Sequence, residues 1–283
     1  GVRVGERGWL SGSLWQRAVG DATDTFRYTS WQVSGQYRLS DARDWKPDLG
    51  LRLSAWGNYA AQTETTKPVV VPGAKLDSVK ITNPADQQLQ ADLVGTWKLS
   101  AGTDVSALLS LGTSQLSYGG MSATTTLDGC HYILAFTGNA IYGTLASPCN
   151  AGIYVQEIYD NSGRLGIDVA NEIAWRGTFF QAGVNTQWQN GPWTVRAGYL
   201  FYLARREAVD AILASRNKAS FTQNHNLSLE GSYRIQPHVQ LLARGQFSSN
   251  LFFNDMPVTY NTSTASRFDG KYSLLTLGLL MDF

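Results

Sequence analysis

Three histidines, two cysteines and a series of charges set at alternate positions are the residues of this 283-residue chain that could do chemistry. A hydroxyl or thiol nucleophile needs a base within hydrogen-bond reach. The nearest approach is His225-Asn226-Leu227-Ser228, yet in an extended chain residues three apart point to opposite faces. His238 lies in the turn-like Gln236-Pro237-His238, and His131 adjoins Cys130. Gly-x-Ser-x-Gly and the glycine–lysine phosphate loop are both absent. No Cys-x-x-Cys pair or spaced His/Cys set suggests a metal. The chain is therefore expected not to be an enzyme and to use no cofactor or metal.

Cys130 and Cys149 fall in one segment between strand-like regions. They are expected to form a disulfide that clasps a long surface loop in an oxidising compartment, with two free thiols as the alternative.

The charges point to a different chemistry. Arg52, Asp92, Lys98, Asp168, Glu172, Arg196, Glu230, Arg234 and Arg244 all fall on the polar side of period-two repeats. Along Leu89–Leu99, for example, Leu89, Ala91, Leu93, Gly95, Trp97 and Leu99 alternate with Gln90, Asp92, Thr96 and Lys98. The pleat of a strand sends alternate side chains to opposite faces. Similar repeats are expected at about 8–20, 30–39, 49–59, 88–99, 104–116, 163–176, 178–189, 192–205, 224–236, 239–253 and 271–283. If the apolar stripes meet lipid, the nine charges line a lumen, where fixed charges screen solutes. The alternative is that they pair across the interior and fill it. Leu108, Leu200 and Leu242 share that face and would suit an apolar solute, or a helix or plug from a loop. The two signs nearly balance, so no strong ion preference is expected.

The last residues carry the most specific signal. Leu275, Leu277, Leu279, Met281 and Phe283 form one apolar stripe that ends on an aromatic. This end resembles the closing strand of bacterial outer-membrane β-barrel proteins, porin-like in class, whose terminal Phe belongs to an insertion signal. The resemblance implies an all-β fold, a single antiparallel transmembrane barrel over residues 1–283. It implies short periplasmic turns, long extracellular loops, and location in the outer membrane of a Gram-negative bacterium. The expected partners are outer-membrane lipid and lipopolysaccharide, the barrel-insertion machinery and small solutes, with a second copy of the chain or a secretion partner left open.

Composition agrees with that class. Charged residues are 16%, against roughly 25% in soluble domains. No run approaches the roughly 18 apolar residues of a membrane helix. The net charge of +1 gives no basic excess for nucleic acid. The N-terminal stretch lacks an apolar signal core, so a leader, if there was one, is expected to be gone. Trp9, Trp97, Trp175, Trp188, Trp193, Tyr199, Tyr233 and Tyr272 sit near expected strand ends, as interfacial girdles do.

Connections near 100–104, 189–192 and 236–238 are short, and those near 62–87, 117–161, 206–222 and 254–270 are long. Eleven repeats are clear, whereas a single-chain barrel needs an even number. The expectation is about twelve strands, with ten or fourteen as alternatives, and a strand hidden in 117–161 or misdivided near Arg176-Gly177. Short helices are expected at Glu207–Ala214 and His131–Ile141. Two functions follow: a pore for passive or substrate-selective passage of small solutes, or an export barrel, for which the abrupt start at Gly1 is the motive. A structural or binding barrel with a plugged lumen is the third.

Overall fold

The computed structural model describes residues 1–20, 24–41, 46–71, 74–147, 149, 155–161, 172–250, 257–262, 264–265 and 269–281. The first strands are β1 (Val2–Val4), β2 (Gly8–Gly20), β3 (Thr25–Ser40) and β4 (Asp48–Tyr59). Four short ones follow: β5 (Gln62–Thr65), β6 (Val69–Val71), β7 (Ala74–Leu76) and β8 (Ser78–Thr82). Next come β9 (Ala85–Ser100), β10 (Thr103–Ser117), β11 (Gly120–Leu127), β12 (Cys130–Thr137), β13 (Ala140–Leu145) and β14 (Glu157–Asn161). The chain then forms β15 (Arg176–Asn190), β16 (Trp193–Arg206), helix α1 (Val209–Ser215), β17 (Gln223–Gln236), β18 (Val239–Ser248) and β19 (Tyr272–Met281).

Eleven of these make one antiparallel sheet in the order β1-β2-β3-β4-β9-β10-β15-β16-β17-β18-β19. All but β1 are long. A second sheet runs β14-β13-β12-β11-β8-β5, and β6 pairs with β7.

Among the described residues the chain has nineteen strands, not about twelve. The excess lies in the stretches 62–87 and 117–161, read as loops, which fold into the second sheet and the separate β6–β7 pair. The hidden strand therefore does not join the main sheet. Of the strand expected at 163–176, residues 163–171, Asp168 among them, lie outside the described residues; Glu172–Trp175 is not extended, and Arg176 opens β15. His131–Ile141 is not helical but spans β12 and β13. Its turn residues allow this: Asp128 and Gly129 preceding β12 have φ of 48° and 77°, the left-handed pair that a tight hairpin requires. Among the described residues no pairing closes the main sheet into the expected barrel, and its edges are β1 and β19. β1 folds back onto β2, pairing Val2 with Leu10 and Val4 with Gly8, and so occupies that end of the edge where a closing strand would pair. The helix expected at Glu207–Ala214 is present as α1.

The polarity of the main sheet is inverted relative to a soluble protein. Leu89, Leu111, Leu275 and Leu277 are 60%, 68%, 72% and 75% exposed, while Asp92, Asn58 and Gln88 are 0%, 2% and 3% exposed. Water-soluble sheets bury the first set and expose the second. Connections segregate as well. β9–β10, β15–β16 and β17–β18 are joined by two-residue turns at one rim, while β4–β9, β10–β15, β16–β17 and β18–β19 are joined by long segments at the other.

Candidate functional site

The antiparallel register lines up the polar side chains into rows across the sheet. One row runs Gln36, Arg52, Asp92, Ser110, Gln181, Tyr202 and Asn224, each opposite the next. A second, nearer the short-turn rim, runs Lys98, Asp104, Gln187, Arg196, Glu230, Arg244 and Thr276.

In the first row Arg52 Nε donates to Asp92 Oδ2 at 2.5 Å. Gln90 Nε2 donates to the other oxygen of Asp92, and Gln181 Nε2 donates to Gln90 Oε1 at 3.4 Å. In the second row Glu230 is clamped from both sides. Arg196 Nη1 reaches Oε1 at 2.7 Å and Arg244 Nε reaches Oε2 at 2.7 Å, while Arg196 Nε also donates to Gln187 Oε1 at 2.8 Å. The carboxylate side chains of Asp92 and Glu230 are 0% and 7% exposed, whereas those of Arg52, Arg196 and Arg244 are 37%, 54% and 45% exposed. Buried carboxylates thus hold arginines that still meet water, which offsets the cost of desolvating the anions.

The remaining expected lining residues are placed differently. Lys98 stands opposite Asp104 on the same face, with no ion pair between them among the described residues. Arg234 is on that face opposite Gln240, close to the short-turn rim. Glu172 is not on a strand of the main sheet. It receives Arg216 Nη1 and Nη2 at 2.9 and 2.6 Å and the Thr262 hydroxyl.

Glu172 belongs to a cluster that sequence reasoning missed. At the long-segment rim, Leu116, Phe179, Tyr202 and Ala204 of the polar face meet Val209 and Leu213 of α1, Trp175, Tyr260 and Ala265, with Trp56 and Phe221 packed alongside. Val209, Leu213 and Tyr260 are fully buried. Trp175 Nε1 donates to the Tyr260 carbonyl at 2.9 Å, and the Tyr260 hydroxyl accepts from Phe221 N at 3.1 Å. The Arg206 guanidinium lies 3.9 Å from the Tyr260 ring centre, within cation–π range. It also pairs with Asp210 at 2.8 Å. Asp86 Oδ2 accepts from Val258 N at 2.9 Å, which ties this segment to β9. Two connections, 207–222 and 257–265, therefore cover one end of the polar face. Trp175 was expected in an interfacial girdle and is instead buried here. Trp188, Trp193 and Tyr233 are exposed on the apolar face beside the short turns, with Trp193 and Tyr233 in ring contact at 4.6 Å.

Cys130 and Cys149 form a disulfide with Cα atoms 5.1 Å apart. It fastens residue 149 to the buried core of the second sheet, where Cys130 packs with Leu76, Tyr132, Leu134 and Ile141. Leu275, Leu277, Leu279 and Met281 all project from the exposed apolar face of β19; Phe283 lies outside the described residues.

Two of the three histidines, His225 and His131, have a hydroxyl partner. His225 Nδ1 is 2.7 Å from the Tyr199 hydroxyl and His131 Nδ1 is 3.0 Å from the Thr126 hydroxyl. His225 lies opposite Phe201 and Ser228 opposite Gly198, so alternation places the two side chains on different faces. Among the described residues no three His, Cys, Asp or Glu gather as a metal site.

No protein-family profile and no curated protein matches the chain. Among solved structures, the CymD monoaromatic hydrocarbon channel aligns over 87% of this chain and 75% of its own, with a TM-score of 0.35 and 12% identity. A likeness this distant shows nothing of function.

Proposed function

We propose that the chain is an outer-membrane β-barrel that passes small solutes through a polar lumen, with its outer mouth narrowed by α1 and the 257–265 segment. The observation that carries this reading is the inverted polarity of the main sheet, with exposed leucines on one face and buried carboxylates holding water-exposed arginines on the other. In a bilayer the apolar face meets lipid and the polar face lines an aqueous interior.

The ten long strands supply the even number that such a barrel needs. β2 begins and β19 ends at the short-turn rim, and they run antiparallel. Pairing of β19 with the free part of the β2 edge would close the wall. A ten-stranded wall encloses a lumen only slightly wider than one filled by its own side chains, so the mouth cluster governs access. Liposome swelling with uncharged solutes of graded size tests the reading. Swelling that falls off sharply with solute size is expected; no swelling with any solute, in wild type and in a mouth-loosened Glu172→Ala variant alike, would contradict it.

The second reading is a closed barrel with a structural or binding role, and the buried aromatic cluster at the mouth favours it. A variant that loosens this cluster without admitting solute would support that alternative.

A further inference from the structure

The apolar face of the main sheet carries an abrupt chemical boundary near its long-segment rim. Reading across the register, one row contains Leu53, Ala91, Leu111, Phe180 and Leu203. The next row toward the rim contains Leu89, Thr113, Thr178 and Arg205, and the row beyond it Gln87, Gln115 and Arg176. Within three rows the wall passes from hydrocarbon to hydroxyl, to amide, to guanidinium. The apolar part is indented. A groove of about 570 Å³ is lined by Leu53, Leu89, Leu111, Phe180 and Leu203, with Arg205 at its edge.

Arg205 and Arg176 lie on the same face of adjacent strands, because Arg205 pairs with Thr178, two residues along from Arg176. Diagonal neighbours of this kind are about 7–8 Å apart at Cα, within the joint reach of two long side chains. Both arginines are exposed, and neither has an ion-pair partner among the described residues. Glu207 follows beside them, its N–H bonded to the Arg176 carbonyl at 2.8 Å, so one carboxylate is close to the pair. Arginine presents a planar fork of donors that matches phosphate oxygens.

We propose that this face is a docking site for a phosphorylated glycolipid of the outer leaflet, of the lipid A type. An acyl chain lies in the groove, a phosphate sits between Arg176 and Arg205, and Gln87 and Gln115 face the sugar hydroxyls. The amide row beside the cations favours a sugar-phosphate headgroup over a glycerophosphate one, which offers fewer hydroxyls for Gln87 and Gln115. The proposal rests on the membrane-barrel reading above.

The test uses the full-length protein reconstituted into nanodiscs of phosphatidylcholine, titrated with purified lipid A and followed by native mass spectrometry. Retention of lipid A by the wild type, with at least a ten-fold loss in an Arg176→Gln/Arg205→Gln double variant and none in Lys98→Gln, is the expected result. Phosphatidylglycerol should fail to displace it. Equal retention by wild type and double variant would overturn the site, and displacement by equimolar phosphatidylglycerol would overturn the sugar-phosphate assignment. Incorporation into the nanodisc, scored separately, reports on the barrel reading. A protein that inserts but does not discriminate sinks the lipid site alone, and one that does not insert sinks both. A Gln87→Leu/Gln115→Leu variant, which leaves both cations in place, should weaken lipid A retention; an unchanged value would contradict the role given to the amides.

Discussion

Arg196 and Glu230 stand directly opposite each other in neighbouring strands, 2.7 Å apart, and Arg244 closes on the same carboxylate from the other side. Glu230 thus separates two cations that share one row of the polar face. Replacing it by Gln leaves both arginines facing each other through a neutral amide. Breaking a buried pair costs about 3–5 kcal/mol. The arginines here are about half exposed, so solvent screening reduces the expected destabilisation to about 1–2 kcal/mol. The larger effect is on selectivity: Glu230→Gln should shift the reversal potential in a salt gradient toward anions. Arg52→Glu, Arg196→Glu and Arg244→Glu should each shift it toward cations. An unchanged reversal potential in all four would remove these residues from the ion path.

Exposed leucines on the apolar face give a direct test of what solvent they meet. Leu109 is 54% exposed, opposite Leu93 and two rows from the Leu89–Arg205 row. On a lipid-facing wall, Leu109→Arg should cost about 2–4 kcal/mol, while Gln115→Arg, nearer the rim, should cost about 0–1 kcal/mol. Urea unfolding in lipid vesicles measures both. If Leu109→Arg is neutral or stabilising, that face is in water.

Reducing the Cys130–Cys149 disulfide should loosen the second sheet and spare the first. The bridge spans 19 residues, for which loop closure contributes about 3 kcal/mol. Limited proteolysis should then cut within 138–157 after reduction, while the long strands stay protected. Cleavage of the main sheet at the same rate would show that the two sheets unfold as one.

The long strands and their faces were legible because period-two alternation records the pleat directly: Arg52, Asp92, Arg196, Glu230 and Arg244 lie on one face as their spacing implies. The second sheet was not. β11 to β13 are six to eight residues each, and Asp128-Gly129 and Gly138-Asn139 are the hairpin turns that separate them; these turn pairs were the available signal. The apolar spacing of 131–141 fits a helix as well as a strand over so short a run. The mouth cluster was hidden for a different reason. Val258 meets Asp86 across 172 positions, and Trp175 meets Tyr260 across 85. No local pattern announces such pairs. Glu172 was placed on a strand because its surroundings alternate, yet it pairs instead with Arg216, Thr262 being its third contact.

Passage through the lumen is read by single-channel conductance in a planar bilayer, comparing wild type with Glu172→Ala. Glu172 joins Arg216 and Thr262 from the two segments that cover the mouth, and its loss removes the carboxylate that links them. Small steady steps are expected for the wild type, and several-fold larger or more frequently open steps for the variant. The absence of steps from both proteins, with each inserted in the bilayer, would contradict a solute passage through this lumen.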